Sequence, residues 1–208
     1  CDEAMILAKT GTHVTSAPGV GQLTNRCPIP ELLELGANVA ITTDGTSPGV
    51  SFDMLQAARK TQMLQQGALH DTFYLPLGKL LEMITIDAAK AIGREEDLGS
   101  LEEGKKADII TVNMKQPHLC PGFMPVHKLM LYASAQDVDT TIVDGRVLMR
   151  GRKVLSCDEE EIMRSAEEES LRTIRRAGCE KYLQPSDTFW GNARNYIFEQ
   201  RFQQEESE

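Results

Sequence analysis

Apolar residues recur along the chain with two different periods, and the change between them divides it. Residues 2–9, Asp-Glu-Ala-Met-Ile-Leu-Ala-Lys, read as a short helix ended by Gly11, a residue suited to a left-handed C-cap. Thr12 to Ser16 is β-branched and strand-like, and Pro18-Gly19 with Gly21 makes a loop. Pro28 or Pro30 opens a helix over Glu31–Leu35 that Gly36 closes. Asn38 to Thr43 is a second strand, and its consecutive Val39, Ala40 and Ile41 suit a strand covered on both faces, as in parallel sheets. Strand, helix, strand predicts a βαβ unit with a right-handed crossover. A third helix is expected from Ser51, as N-cap, through Phe52, Leu55, Ala58, Arg59 and Gln62. A fourth is expected over 77–92, with Leu80, Leu81, Ile84, Ala88 and Ile92 on one stripe.

From Gly93 the pattern becomes turn-rich. Ala107 to Val112 is a strand, and residues 140–143, 146–149 and 152–155 form a meander reversed at Asp144-Gly145 and Gly151. Asp-Gly between β-branched runs is a strong hairpin signal, so a small antiparallel sheet is predicted to follow the α/β part. Residues 158–177 return to helix, with Asp158 as cap, glutamates at its start and arginines at its end, as the helix dipole favours. The segment after it carries Tyr182, Phe189, Trp190, Tyr196, Phe198 and Phe202. Such a tail either folds back on its own domain or forms a subunit interface, where aromatics concentrate.

The 208 residues carry 31 acidic and 22 basic side chains, a net charge of −9. That excess disfavours nucleic acid or an anionic membrane as partner, since Lys and Arg supply most of such affinity. No apolar run approaches the ~20 residues that cross a bilayer, and no signal-peptide pattern opens the chain. Five cysteines without a CxxC pair read as free thiols of a reducing compartment, so a cytoplasmic protein is expected. The length falls short of a closed eight-fold β/α barrel, which takes about 250 residues. The first residue is Cys, already inside an apparent helix, and a longer polypeptide beginning upstream is expected.

Asp44 is the first candidate for chemistry. It ends an apolar strand and precedes Gly45-Thr46-Ser47-Pro48-Gly49, and in α/β barrels reactive groups gather at that face. A carboxylate there can ligate a metal and accept a proton from a metal-activated water. The same dipeptide is also an ordinary Asp-Gly turn. His13, on the first strand, reads as a satisfied core histidine or one that supports a ligand. His70, His118 and His127 fall in loop-like stretches, with no HxH or HExxH spacing. Ser16 and Ser47 lack the partners of a serine nucleophile.

The segment Leu98-Gly99-Ser100-Leu101-Glu102-Glu103-Gly104-Lys105-Lys106-Ala107-Asp108-Ile109-Ile110 resembles the G-x-L-x-x-G-x-x-A-D signature of the amidohydrolase superfamily. Val143-Asp144-Gly145-Arg146-Val147 resembles its later V-x-G-x-x-V hairpin, and Asn38 to Gly45 its eighth barrel strand, ending in T-D-G. Within that superfamily the chain is most similar to the cytosine/guanine deaminase-like branch, which includes methylthioadenosine/S-adenosylhomocysteine deaminases and triazine hydrolases. The resemblance implies an α/β fold: a partial (β/α)8 TIM barrel comprising its last strands and helices, part of the small β-sandwich domain, and C-terminal helices. It divides the chain into residues 1–93 (barrel), 94–157 (small β domain) and 158–208 (helix and aromatic tail). It makes Asp44 the metal ligand and proton acceptor, with one divalent ion, Zn or Fe, activating the attacking water. Where many relatives carry H-N/C-P at the end of strand seven, this chain reads Ser16-Ala17-Pro18, so a purine nucleoside is not a secure substrate.

The expected function is therefore that of the C-terminal part of a metal-dependent amidohydrolase. It would hydrolyse C–N or C–Cl bonds of a small heterocyclic substrate, with Asp44 catalytic, Ser16 and Ser47 as substrate contacts, and a homo-oligomer as the assembly. The alternative is a non-catalytic scaffold or oligomerisation module of the same ancestry.

Overall fold

The computed structural model describes residues 2–19, 26–45, 51–185 and 189. Two compact units divide at Ser156/Cys157, and each is described by itself. The first unit opens with α1 (Asp2–Lys9), β1 (Val14–Ser16), α2 (Ile29–Glu34) and β2 (Val39–Ile41). The two strands pair in parallel, Val14 beside Val39, Thr15 beside Ala40 and Ser16 beside Ile41. A short helix between parallel neighbours is the predicted βαβ arrangement.

All three residues of β2 are buried, as their unbroken apolar run foretold. Val39 and Ile41 join Ile29 and Leu32 of α2 in one core, which continues through Leu80, Met83, Leu119 and Met130. β1 is shorter than the expected Thr12–Ser16 strand. The Thr12 amide instead donates to the Leu7 carbonyl (3.0 Å), completing the end of α1 across Gly11 at φ +66°. His13 is thereby left exposed ahead of the strand, and is not a core histidine.

Helix α3 runs from Met54 to Leu69, later than expected from Ser51. Asp53 is its N-cap, accepting from the Gln56 amide at 3.0 Å, and Phe52 lies outside the helix and exposed. The expected helix over 77–92 is two helices, α4 (Leu77–Met83) and α5 (Ile86–Ala91). The break falls at Thr85, whose hydroxyl donates back to the Leu81 carbonyl at 2.6 Å; Ser and Thr compete with helical hydrogen bonding in this way. The stripe consequently loses its last member, and Ile92 is 68% exposed.

A buried carboxylate locks α5 to its neighbours. Asp87 accepts from Lys79 Nζ (2.6 Å) and Lys90 Nζ (3.1 Å), and its carbonyl accepts from Asn38 Nδ2 (2.9 Å) at the start of β2. Burial pushes the Asp87 carboxyl up, but the two lysine hydrogen bonds and charges outweigh it and hold the group below the ordinary carboxylate range.

The G-x-L-x-x-G-x-x-A-D segment has a physical reason for its pattern. Gly99 sits at φ +88°, and a Cβ there would lie 2.7 Å from Ile86 Cα and 2.8 Å from Ala89 Cβ. Lys105 Nζ ties the loop by donating to Ser100 Oγ (2.7 Å) and the Glu95 carbonyl. Asp108 Oδ1 accepts from the Asp144 amide (2.7 Å), and the Ala107 carbonyl accepts from the Gly145 amide (3.1 Å). The two motifs thus hold each other. Asp144 and Gly145, both at positive φ, form the tight turn between β4 (Val138–Val143) and β5 (Arg146–Arg150). With β3 (Ile109–Val112) and β6 (Lys153–Val154) they make an antiparallel sheet in the order β3-β4-β5-β6. Helix α6 (Pro125–Leu131) lies between β3 and β4 in the chain, and Arg59 of α3 donates to the Met130 and Ala133 carbonyls at the end of that helix. The second unit contains α7 (Glu159–Arg176), where Asp158 Oδ1 caps the Glu160 and Glu161 amides, as predicted.

Two outcomes follow. Gly99→Ala should cost about 2–3 kcal/mol in urea unfolding, because a backbone atom blocks the added methyl. Gly104→Ala, with open space around it and only left-handed strain, should cost about 1 kcal/mol. Asp87→Asn should destabilise the chain by about 1–3 kcal/mol at neutral pH. Because the folded pKa of Asp87 is depressed, its contribution is complete above about 3.9 and fades as pH falls through the folded value. Unfolding measured between pH 3 and 7 should therefore show wild type and variant converging at the acid end.

Candidate active site

The parallel register brings the carboxyl ends of β1 and β2 side by side, and the Thr42 amide donates to the Ser16 carbonyl (3.0 Å) to extend the pairing. Asp44 stands three residues beyond β2, exposed, with φ +60°. Non-glycine residues seldom adopt that conformation, which is costly unless the surroundings hold it. Here the holding is local. The Gly45 amide donates to Asp44 Oδ1 (2.7 Å), and Thr43 Oγ1 donates to the Asp44 carbonyl (3.2 Å). The other carboxylate oxygen has no partner among the described residues.

Ser16 is placed differently from an open substrate contact. It is buried at the end of β1, with its hydroxyl against the Cys27 thiol. Burial pushes the Cys27 thiol up, and the bond from Ser16 and the charge of Arg26 only partly offset it. Arg26 is fixed in turn, donating to Glu31 and to Gln65 Oε1 (3.0 Å), while Gln65 Nε2 donates to the Cys27 carbonyl (3.1 Å). Ser47 lies outside the described residues.

Next to Thr43, a small crevice is lined by Pro18, Ser51, Asp53, Gln56, Ala57 and Lys60. Ser51 Oγ accepts from the Asp53 amide, and Asp53 Oδ2 accepts from the Ala135 amide (3.0 Å), which anchors the loop after β2 at its far end. Sequence reasoning passed over Asp53 in favour of Ser51, although Asp53 followed by Gln56 has the spacing of an N-cap and its third helical residue. The Ser16–Cys27 pairing carried no local signal, because the two residues stand well apart in sequence.

His13, His70, His118 and His127 are all exposed, and His118 pairs with the buried Asp137 (3.1 Å). Among the described residues, no three His, Cys, Asp or Glu side chains converge to hold a metal ion. A catalytic zinc takes three protein ligands, so Asp44 fits the part of one oxygen donor and the described residues do not complete a set. A cavity of about 630 Å³ lies instead along Thr15, Ala40 and Thr42 of the strands, Ala88 of α5, and Ile109 of β3. Its lining is mainly aliphatic and does not include Asp44.

The Amidohydrolase family profile matches residues 22–148, and the chain belongs to that family. The 5-methylthioadenosine/S-adenosylhomocysteine deaminase of Desulforudis audaxviator is 40% identical over 171 residues, covering 81% of this chain and 40% of the relative. A zinc-bound adenosine deaminase from Xanthomonas campestris superposes with a TM-score of 0.77 at 25% identity, over 83% of this chain and 40% of that one. The zinc complex of atrazine chlorohydrolase from Arthrobacter aurescens gives 0.71 at 25% identity, over 79% and 37%. The chain thus spans about two-fifths of the length of the relatives it matches.

The left-handed backbone at position 44 yields a measurable consequence. Asp44→Gly should raise stability by about 0.5–1 kcal/mol in thermal or urea unfolding, since glycine adopts this φ without strain. A loss of stability of that size would show instead that the carboxylate bond to Gly45 holds the loop.

Proposed function

We propose that this chain is the C-terminal portion of a metal-dependent amidohydrolase that removes an amino group, or a comparable leaving group, from a nitrogen heterocycle. Adenosine-type nucleosides are the class to test first, because the deaminase relatives are named for them. The observation that carries the reading is Asp44 itself, held in a strained conformation at the carboxyl end of a buried parallel strand, in a chain of this family. In this reading residues 1–93 are the last strands and helices of a β/α barrel, 94–157 belong to a small β domain, and 158–208 form a C-terminal extension. The βαβ unit and the free edge that each of β1 and β2 keeps among the described residues support that assignment.

Asp44 would hold a divalent ion, Zn or Fe, together with donors from the remainder of the polypeptide. When bound, such an ion lowers the pKa of a water to about 7. The Asp44 oxygen not bonded to the Gly45 amide is the one available to accept the proton of the attacking water and return it to the leaving nitrogen. Pinning Oδ1 to Gly45 fixes the direction of the second oxygen, which is what a proton shuttle needs. The buried Ser16 contributes through shape, seated on Cys27 at the end of β1, and Ser47, three positions after Asp44 in sequence, is proposed as a substrate contact.

In the full-length polypeptide, Asp44→Asn should lower kcat/KM for deamination by at least about 10³-fold with folding intact by circular dichroism. The 208-residue chain alone, supplied with Zn²⁺, should show no turnover. Unchanged activity in the variant would remove Asp44 from the chemistry, and a full-length polypeptide without hydrolytic activity would leave the scaffold reading in its place.

A further inference from the structure

Thr43 stands directly before Asp44 and is only 7% exposed. A valine would fill the same space beside the apolar run of β2, and a hydroxyl is what threonine adds to it. That hydroxyl donates to the Asp44 carbonyl (3.2 Å). The carbonyl shares one planar peptide with the Gly45 amide, and this amide donates to Asp44 Oδ1 (2.7 Å). A single rigid plane is therefore gripped at both ends, by Thr43 on its oxygen and by the Asp44 carboxylate on its nitrogen. The peptide before it is held as well. The Asp44 amide donates to Thr42 Oγ1 (3.4 Å), and the Thr42 amide donates to the Ser16 carbonyl (3.0 Å) at the end of β1.

We propose that Thr43 is a positioning residue for Asp44, its buried hydroxyl fixing the carboxylate so that the remaining oxygen is presented to the divalent ion. The proposal rests on the reading of Asp44 as a metal ligand. Without the hydroxyl, the plane between residues 44 and 45 is free to turn, and the Gly45 amide then leaves Oδ1. The left-handed backbone at Asp44 (φ +60°) makes that loss consequential, because this conformation persists only where its surroundings hold it. Of the three hydrogen bonds at the turn, the one from Thr43 is part-buried and the other two are exposed. Water competes least for the part-buried one. A metal ligand whose orientation is fixed in advance by an outer partner gives up less freedom on binding, and removal of such a partner weakens both affinity and activity. The threonine of T-D-G thus gains a task distinct from strand packing: it holds the peptide that holds the carboxylate.

The test is zinc affinity of the full-length polypeptide, measured by competition with a chromogenic chelator, with circular dichroism to confirm that each variant is folded. Thr43→Val should raise the Kd for Zn²⁺ about ten-fold, and Thr43→Ser, which keeps the hydroxyl, should restore it. Thr43→Ala carries the same expectation if Thr43→Val does not fold. Adding Thr43→Val to Asp44→Ala should change the affinity no further, because Thr43 acts through that carboxylate. With adenosine as substrate, kcat should fall by a similar factor while KM stays within about two-fold. The zinc measurement decides for Thr43 whichever nucleoside the wild type accepts. A folded Thr43→Val protein that binds zinc as the wild type does overturns the proposal. So does a Thr43→Ser protein as weak as Thr43→Val, a further loss on top of Asp44→Ala, or a raised KM at unchanged kcat. If Asp44→Ala itself leaves zinc affinity unchanged, the metal-ligand reading of Asp44 falls, and the proposal with it.

Discussion

The parallel pairing of β1 with β2 is the constraint on which the candidate site depends. Only three residues pair on each side, yet the register sets Ser16 beside Ile41 and so aligns the carboxyl ends of both strands. Asp44 follows from that alignment, three residues past the buried end of β2, where the chain must turn and does so through a left-handed aspartate. A slip of one residue would exchange the faces of β2 and move the carboxylate away from the strand ends. The register is held from both directions. Asn38 bonds the Val14 amide through its carbonyl and the Asp87 carbonyl through its side chain, so the strand pair and α5 share one anchor.

Around that frame, most buried polar groups are paired, Thr61 Oγ1 and Glu95 Oε2 being exceptions among the described residues. Asp87 has two lysines, Gln65 has Arg26 and the Cys27 carbonyl, and Asp137 has Ser134 and His118. Gln65 joins segments far apart in sequence, while the Asp87 and Asp137 carboxylates draw mainly on nearby partners, and a buried charge is tolerated only when so paired. Asp44 differs from all of them. It is exposed, left-handed and held on one oxygen by a single backbone amide, features that fit the chemical part proposed for it.

The family motifs acquire a mechanical meaning in the structure. Gly99 is required because α5 passes within a methyl's width, Asp108 because it receives the Asp144 amide, and Gly145 because the hairpin turns there and returns a hydrogen bond to Ala107. These residues organise the junction between the α/β segment and the antiparallel sheet. They are a structural clasp, apart from the candidate site at the end of β2.

Much of this was legible from local signals. The buried run at Val39–Ile41, the Asp144-Gly145 turn, the Asp158 cap and the proline-opened helix before Gly36 all depend on interactions within a few residues, which sequence alone determines. The seating of Ser16 on Cys27 and the exposure of Ile92 were decided only in three dimensions, whereas the break at Thr85, the late start of α3 and the exposure of His13 turn on nearby hydrogen bonds that periodicity does not record. In each, a side chain chose between competing hydrogen-bond partners or packing surfaces, some brought near by tertiary folding. Periodicity records which residues prefer burial, but the choice among partners depends on distances that exist only once the chain has closed on itself.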